Sequence, residues 1–179
     1  MEIFSQFLAI LQDLPAYLAT WTTAYGPMIY VILFAIVFAE TGLVVTPFLP
    51  GDSLLFAVGS LTAFDGGLDL LTSIVVLWAA AVIGDNVNYS VGRSAGKRLF
   101  TRADSKLFNP NHLARTEAFF AKHGGRTLVM ARFLPIFRTY APFVAGMSRM
   151  EYRRFLIFSV FGGATWISAF TLAGHFFGN

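Results

Sequence analysis

Apolar stretches fill most of the chain, and polar residues interrupt them in two different ways. Residues 27–45, PMIYVILFAIVFAETGLVV, run apolar with Glu40 as their one charge. Residues 68–91 are similar and close in GDNVNYSVG, and residues 155–177, FLIFSVFGGATWISAFTLAGHFF, make a third such run. A membrane-crossing helix needs about 20 mostly apolar residues, so these three stretches are predicted to span. Residues 46–64, TPFLPGDSLLFAVGSLTAF, are as apolar but broken by Pro47, Pro50, Gly51 and Asp52. Residues 127–148 are broken in the same manner by Arg132, Pro135, Arg138 and Pro142. Proline removes a backbone donor and clashes with the preceding turn, so neither stretch reads as one continuous helix. Residues 3–21, interrupted by Gln6, Gln12, Asp13 and Pro15, suggest an amphipathic helix on the membrane surface or against the bundle. Residues 92–126 are polar. Within them Asn109-Pro110 starts a helix and Gly124 stops it.

Charge gives these segments an orientation. Residues 1–92 carry seven acids and no Lys or Arg, whereas residues 93–179 carry all thirteen bases and three acids. Basic loops stay in the cytoplasm, so 92–126 and the cluster Arg149, Arg153 and Arg154 are predicted to be cytoplasmic. Residues 127–148 lie between two cytoplasmic flanks and must enter and return. The acidic turn Asp65–Asp69 then lies outside, and 46–64 is the mirror case. Both broken segments read FLP followed by F-[AV]-x-G, at 48–50 with 56–59 and at 133–135 with 143–146. Opposite orientation makes them an inverted repeat, a frequent pointer to a transporter's site. Chance recurrence in a Phe-rich chain is the plainer alternative.

The predicted fold is an all-α integral membrane protein. Transmembrane helices are joined by two facing re-entrant helical hairpins that form an inverted repeat. One domain covers 1–179: an amphipathic helix (1–25), a span plus the first re-entrant loop (26–67), a span (68–91), the basic segment (92–126), the second re-entrant loop (127–148) and a last span (149–179).

Composition agrees with the membrane class and removes several functions. The chain is 56% hydrophobic and 13% charged, with a mean hydropathy of +0.63. Soluble domains are about 45–50% apolar and about 25% charged. The pI near 9.4 does not argue for nucleic acid, because the bases lie between greasy segments. There are no cysteines, hence no disulfide and no thiol chemistry. The N-terminus lacks the basic region of a cleavable signal peptide. His112, His123 and His175 are too scattered for a metal site, and Gly92–Gly96 lacks phosphate-loop spacing. With no nucleophile motif either, no catalytic residue, metal or cofactor is expected, and the chain is not read as an enzyme. Gly174 and Gly178 form a small-xxx-small pair that leaves helix packing and homo-oligomerisation open.

The candidate chemistry lies in the broken segments. Glu40, Asp52, Arg132 and Arg138 each cost about 2.5–3.5 kcal/mol at mid-bilayer. A shared wet cavity in which two acids face two arginines would offset that cost. Arginine keeps its charge and matches phosphate with a planar fork. A carboxylate in a low-dielectric cavity binds its proton more tightly. The expected roles are therefore phosphate binding for Arg132 and Arg138 and proton uptake for Glu40 and Asp52. Plainer readings stand beside them. Glu40 and Arg132 lie near segment ends and can reach the interface, and Asp52 can cap the helix of DSLLFAVG. Asp85, Asn88 and Tyr140 are candidate cavity-lining residues, although Asp85 and Asn88 equally suit a polar helix end. Pro50, Gly51, Pro135 and Pro142 shape the loops.

The stretches FAETGLVVTPFLPGDSLLFAVGSL, GDNVNYSVGRSAGKRLF and GGRTLVMARFLPIFRTYAPFVAGMSRM resemble the DedA family of bacterial inner-membrane proteins. That family is related to the eukaryotic VTT-domain lipid scramblases. The resemblance covers roughly Gly26 to Gly174. It implies two facing re-entrant loops, a multi-pass inner-membrane location and a part in membrane homeostasis linked to the proton-motive force. It also implies translocation of undecaprenyl phosphate or phospholipids. The family's functional acids match Glu40 and Asp52, and its arginines match Arg132 and Arg138. Members usually continue into another hydrophobic helix, whereas this sequence stops at Asn179. The expected function is translocation of phosphate-bearing lipids, with an anionic lipid and protons as partners. The alternative is a proton-coupled exporter of small cations or drugs, in which the arginines are structural. A catalyst or scaffold without transport is a third reading.

Overall fold

The structure is a computed structural model that describes residues 20–22, 24–43, 51–64, 67–99, 122, 124–133 and 135–178. Most of the N-terminal amphipathic segment, Pro50 and the helix start at Asn109-Pro110 lie outside these residues. All regular elements among them are helical. A 3-10 turn, Gly26–Met28, leads into α1, Ile29–Gly42. There follow α2 (Gly51–Leu61), α3 (Leu70–Leu99), α4 (Arg126–Arg132), α5 (Pro135–Met147) and α6 (Tyr152–Phe177).

Among the described residues, two helices are long and apolar enough to cross a membrane: α3 over Leu70–Ala95, and α6. Asp69 caps α3 by accepting the Thr72 backbone N–H at 2.8 Å, and the Thr72 bonds hold its carboxyl below the usual range. The helix runs past the expected boundary at residue 91 because Gly92 does not end it. That glycine marks a crossing, where a Cβ would strike the Phe143 carbonyl of α5.

The helix α1, within the expected first span, is shorter than α3 and α6. It has 14 residues, about 21 Å at 1.5 Å per residue, against a hydrocarbon core of about 30 Å. Leu43 ends it in an extended conformation. α1 runs parallel to α3. The Tyr30 hydroxyl accepts the Asp69 N–H at 2.9 Å at one end. At the other end Gly42 meets Gly84, where an added Cβ would lie 3.3 Å from the Gly84 Cα. α2 then returns along α6. Ser60 donates to the Gly178 carbonyl at 2.6 Å, and Thr62 bonds the His175 ring at 2.9 Å. Both arms therefore open at the end of the bundle where α3 starts and α6 stops.

α4 and α5 repeat this at the opposite end. Gly125, which precedes α4, packs on the Phe158 ring near the start of α6. α5 returns along the second half of α3, where the Tyr89 hydroxyl donates to the Met150 carbonyl. The core divides accordingly. One cluster gathers Leu33, Leu55, Leu77 and Trp166, and the other gathers Leu128, Ala145, Tyr89 and Phe155.

The two return helices cross their partners in matching ways. A Cβ on Gly59 would strike the Thr171 carbonyl, and one on Gly174 the Phe56 carbonyl. Equally, a Cβ on Gly146 would strike the Tyr89 carbonyl, and one on Gly92 the Phe143 carbonyl. Glycine lets backbones touch at these points, the usual packing device between helices in lipid. Gly174 thus packs inside the chain.

Candidate functional site

Arg138 stands in the first half of α5, a turn that its own helix weakens. Pro142 has no N–H to offer the Arg138 carbonyl four residues back. One guanidinium nitrogen pairs with Oε1 of Glu40, in the last turn of α1. The other pairs with Oδ1 of Asp52, in the first turn of α2. Positive charge suits the carboxyl end of α1, and the Asp52 carboxylate suits the amino end of α2. Gly51 lets the two helix ends meet, because a Cβ there would collide with the Glu40 carboxylate. Trp166 of α6 closes the cluster. Its indole N–H donates to Asp52 at 2.9 Å, and its ring centroid lies 4.9 Å from the Arg138 guanidinium carbon.

A second cluster sits beside it. Arg132, the last residue of α4, pairs with Asp85 of α3. Ser159 of α6 donates to the same Asp85 oxygen at 2.6 Å, and Arg132 also donates to the Ser159 carbonyl at 3.2 Å. Between the clusters is a void of about 10 Å³, lined by Asp85, Arg132, Arg138, Pro142 and Ser159. That is room for about one water.

The structure therefore gathers Glu40, Asp52 and Arg138 directly, and places Arg132 next to them on a different acid. The expectation of two acids sharing two arginines is changed to three acids and two arginines. In place of a wide wet cavity the charges are closed on each other. Glu40 and Arg132 are both buried rather than at an interface. Asp52 is the accessible member, with its side chain 32% exposed against 8% for Arg138. Asp85 and Asn88 are buried one turn apart on α3, whereas Tyr140 is exposed and joins neither cluster. Pro142 is buried, Gly51 begins α2 and Pro135 begins α5. Among the described residues no three His, Asp or Glu side chains gather as metal ligands.

Sequence reasoning missed Trp166 and Ser159. Nothing in the apolar run of α6 separates an indole that meets a charge from one that only fills space. The pairing of Asp85 was missed too, although an acid at that depth in a span is itself a signal for a buried cation.

The chain matches the VTT domain model over residues 49–176. It is 46% identical to Protein DedA of Escherichia coli K12, over 99% of this chain and 82% of that protein. It is 40% identical to a membrane protein of Mycobacterium tuberculosis, over 92% of this chain and 73% of that protein. It is 34% identical to the inner membrane protein YghB of E. coli K12, over 94% and 79%. No solved structure matches the chain significantly.

Proposed function

The chain belongs to the DedA family of VTT-domain membrane proteins, and from that premise we propose that it moves phosphate-bearing lipids across the bacterial inner membrane. In this reading α3 and α6 span the bilayer. The α1–α2 and α4–α5 pairs are re-entrant hairpins that enter from opposite faces and form an inverted repeat. The half-length of α1 and the matched glycine crossings support this. Basic residues 92–126 and 149–154 face the cytoplasm, so the α1–α2 hairpin opens outward.

The observation that carries the reading is the place of Arg138. It lies where the ends of both hairpins meet, between two acids that are not covalently tied to its own helix. A phosphate headgroup presents the same oxygen pairs as a carboxylate to a guanidinium fork. It can replace Asp52, the exposed partner, while the acyl or prenyl tails stay in lipid. Charge balance then brings in the proton. Glu40, Asp52 and Asp85 against Arg132 and Arg138 leave one negative charge when all are ionised, and one proton cancels it. Protonation of Glu40 or Asp52 frees Arg138 for the headgroup and links binding to the proton gradient. The substrates that fit are undecaprenyl phosphate and anionic phospholipids, consistent with a role in envelope homeostasis.

The test is a flipping assay in proteoliposomes with labelled undecaprenyl phosphate and phosphatidylglycerol. Wild-type protein should flip at least one of them and respond to an imposed proton gradient, and Arg138→Ala should not. Equal flipping by both proteins overturns the reading. Efflux of a soluble cation with no headgroup movement establishes the exporter in its place.

A further inference from the structure

Asn88 lies on α3, fully buried, with no role in either ion-pair cluster. Its amide nitrogen donates to the Thr41 carbonyl at 3.1 Å and to the Thr139 carbonyl at 2.7 Å. Both partners only accept, so the nitrogen must face them and both of its hydrogens are used. The two carbonyls lie in α1 and α5, and neither helix is otherwise tied to the other by backbone pairing among the described residues. Each is one residue beyond an ion-pair member: Thr41 follows Glu40, and Thr139 follows Arg138.

The Thr41 carbonyl needs such a partner, and the turn at Thr139 is weakened beside it. Thr41 is in the last turn of α1, where carbonyls have no acceptor site filled from within the helix. Thr139 adjoins the carbonyl that Pro142 leaves without its usual donor. Each charged side chain therefore hangs from a loosened turn. One amide grips both turns from the side of α3, which neighbouring contacts keep fixed. Gly84 meets Thr41 one turn before Asn88, and Gly92 meets Phe143 one turn after it.

We propose that Asn88 is a positioning residue that sets the Glu40–Arg138 pair by holding the backbone next to each partner. The side chain makes no hydrogen bond to either charge. It fixes the distance between the two helices, and the ion pair forms at that distance. A headgroup that takes Arg138 would meet a guanidinium already placed, so less ordering remains to be done on binding. This consequence for transport rests on the translocation reading above, but the positioning itself does not.

The test is a double-mutant cycle read as thermal unfolding midpoints of the purified full chain in one detergent. Arg138→Ala should lower the midpoint of the wild type, since it leaves Glu40 and Asp52 facing each other. In the Asn88→Ala background the same substitution should lower it by less than half as much, because the pair is no longer held. Ser60→Ala, which breaks the α2–α6 contact at Gly178, should cost the same in both backgrounds. Asn88→Ser keeps one donor and should give an intermediate shift, and it carries the cycle if Asn88→Ala does not fold. An undiminished Arg138→Ala shift in the Asn88 variants overturns the proposal, since an amide that only fills space would give that result. Flipping is measured in parallel on wild type. A coupled cycle with no lipid movement supports the positioning role and removes the translocation reading alone.

Discussion

Trp166 touches Arg138 and Asp52 at once. Its ring lies under the guanidinium and its N–H reaches the carboxylate. One buried side chain of α6 therefore reads the state of an ion pair made by α5 and α2. If Asp52 takes up a proton, or a headgroup displaces it, Trp166 keeps its contact with Arg138 and loses a charged acceptor. Helix α6 is thus coupled to both α2 and α5 through one indole.

Trp166→Phe separates these two contacts. It keeps an aromatic face beneath Arg138 and removes the donor to Asp52. A hydrogen bond to a charged group is worth about 1.5–3 kcal/mol, so the variant should fold with a lowered unfolding midpoint. If the indole N–H helps to hold Asp52 against Arg138, flipping in the variant should also change, because Arg138 then keeps a looser partner. Trp166→Ala also opens a cavity and should cost about 3–5 kcal/mol. A Trp166→Phe protein with wild-type midpoint and wild-type flipping would show that the indole N–H has no part in the cluster.

Arg132 and Asp85 give a cleaner charge test. Removing one partner of a buried pair costs about 3–5 kcal/mol, because the other is left charged without compensation. Arg132→Ala should therefore express poorly or unfold early. Adding Asp85→Asn should recover most of the stability. If Arg132 also receives the headgroup, the double variant will be stable and still slow in flipping. A double variant no more stable than Arg132→Ala would mean that Asp85 is not the acid Arg132 neutralises.

Much of this site was legible before the structure, and the limits are physical. The prolines and charges at 50–52 and 132–142 mark backbone that cannot be lipid-exposed helix, so the sequence itself located the centre. Which acid meets which arginine was not legible. Pairing depends on how turns of different helices face each other, and hydropathy carries no such information. The same limit applies to α1. Residues 27–45 are greasy enough to cross, but a run of apolar residues measures length and not direction. The F-[AV]-x-G repeat, by contrast, had structural content: Gly59 and Gly146 are where the return helices touch their partners.

Those two glycines should respond alike. Alanine at either position drives a Cβ into a backbone carbonyl, of Thr171 or of Tyr89, and backbone cannot step aside as a side chain can. Gly59→Ala and Gly146→Ala should each reduce folded yield and unfolding midpoint by similar amounts. Gly163→Ala is the control, since its nearest neighbour is a Trp78 side-chain atom at 3.3 Å. A large effect at one crossing and none at the other would break the equivalence of the two glycine crossings.

The direction of α1 yields the sharpest prediction. A chain that crosses at residues 27–45 would place Tyr25 and Phe64 on opposite faces of the membrane. The contact between Tyr30 and Asp69 requires the reverse, because it ties the start of α1 to the start of α3. Tyr25 and Phe64 are both more than half exposed, and the chain has no cysteine to interfere. Single cysteines at Tyr25, Phe64 and Ser148 can thus be probed in intact cells with an impermeant thiol reagent. Tyr25→Cys and Phe64→Cys should be labelled from outside. Ser148→Cys, which follows the α4–α5 hairpin, should be labelled only after the membrane is opened. Protection of Tyr25→Cys together with labelling of Phe64→Cys would make α1 a full crossing and dissolve the first hairpin. Labelling of Ser148→Cys in intact cells would do the same to the second, and with it the meeting of Glu40, Asp52 and Arg138 from opposite faces.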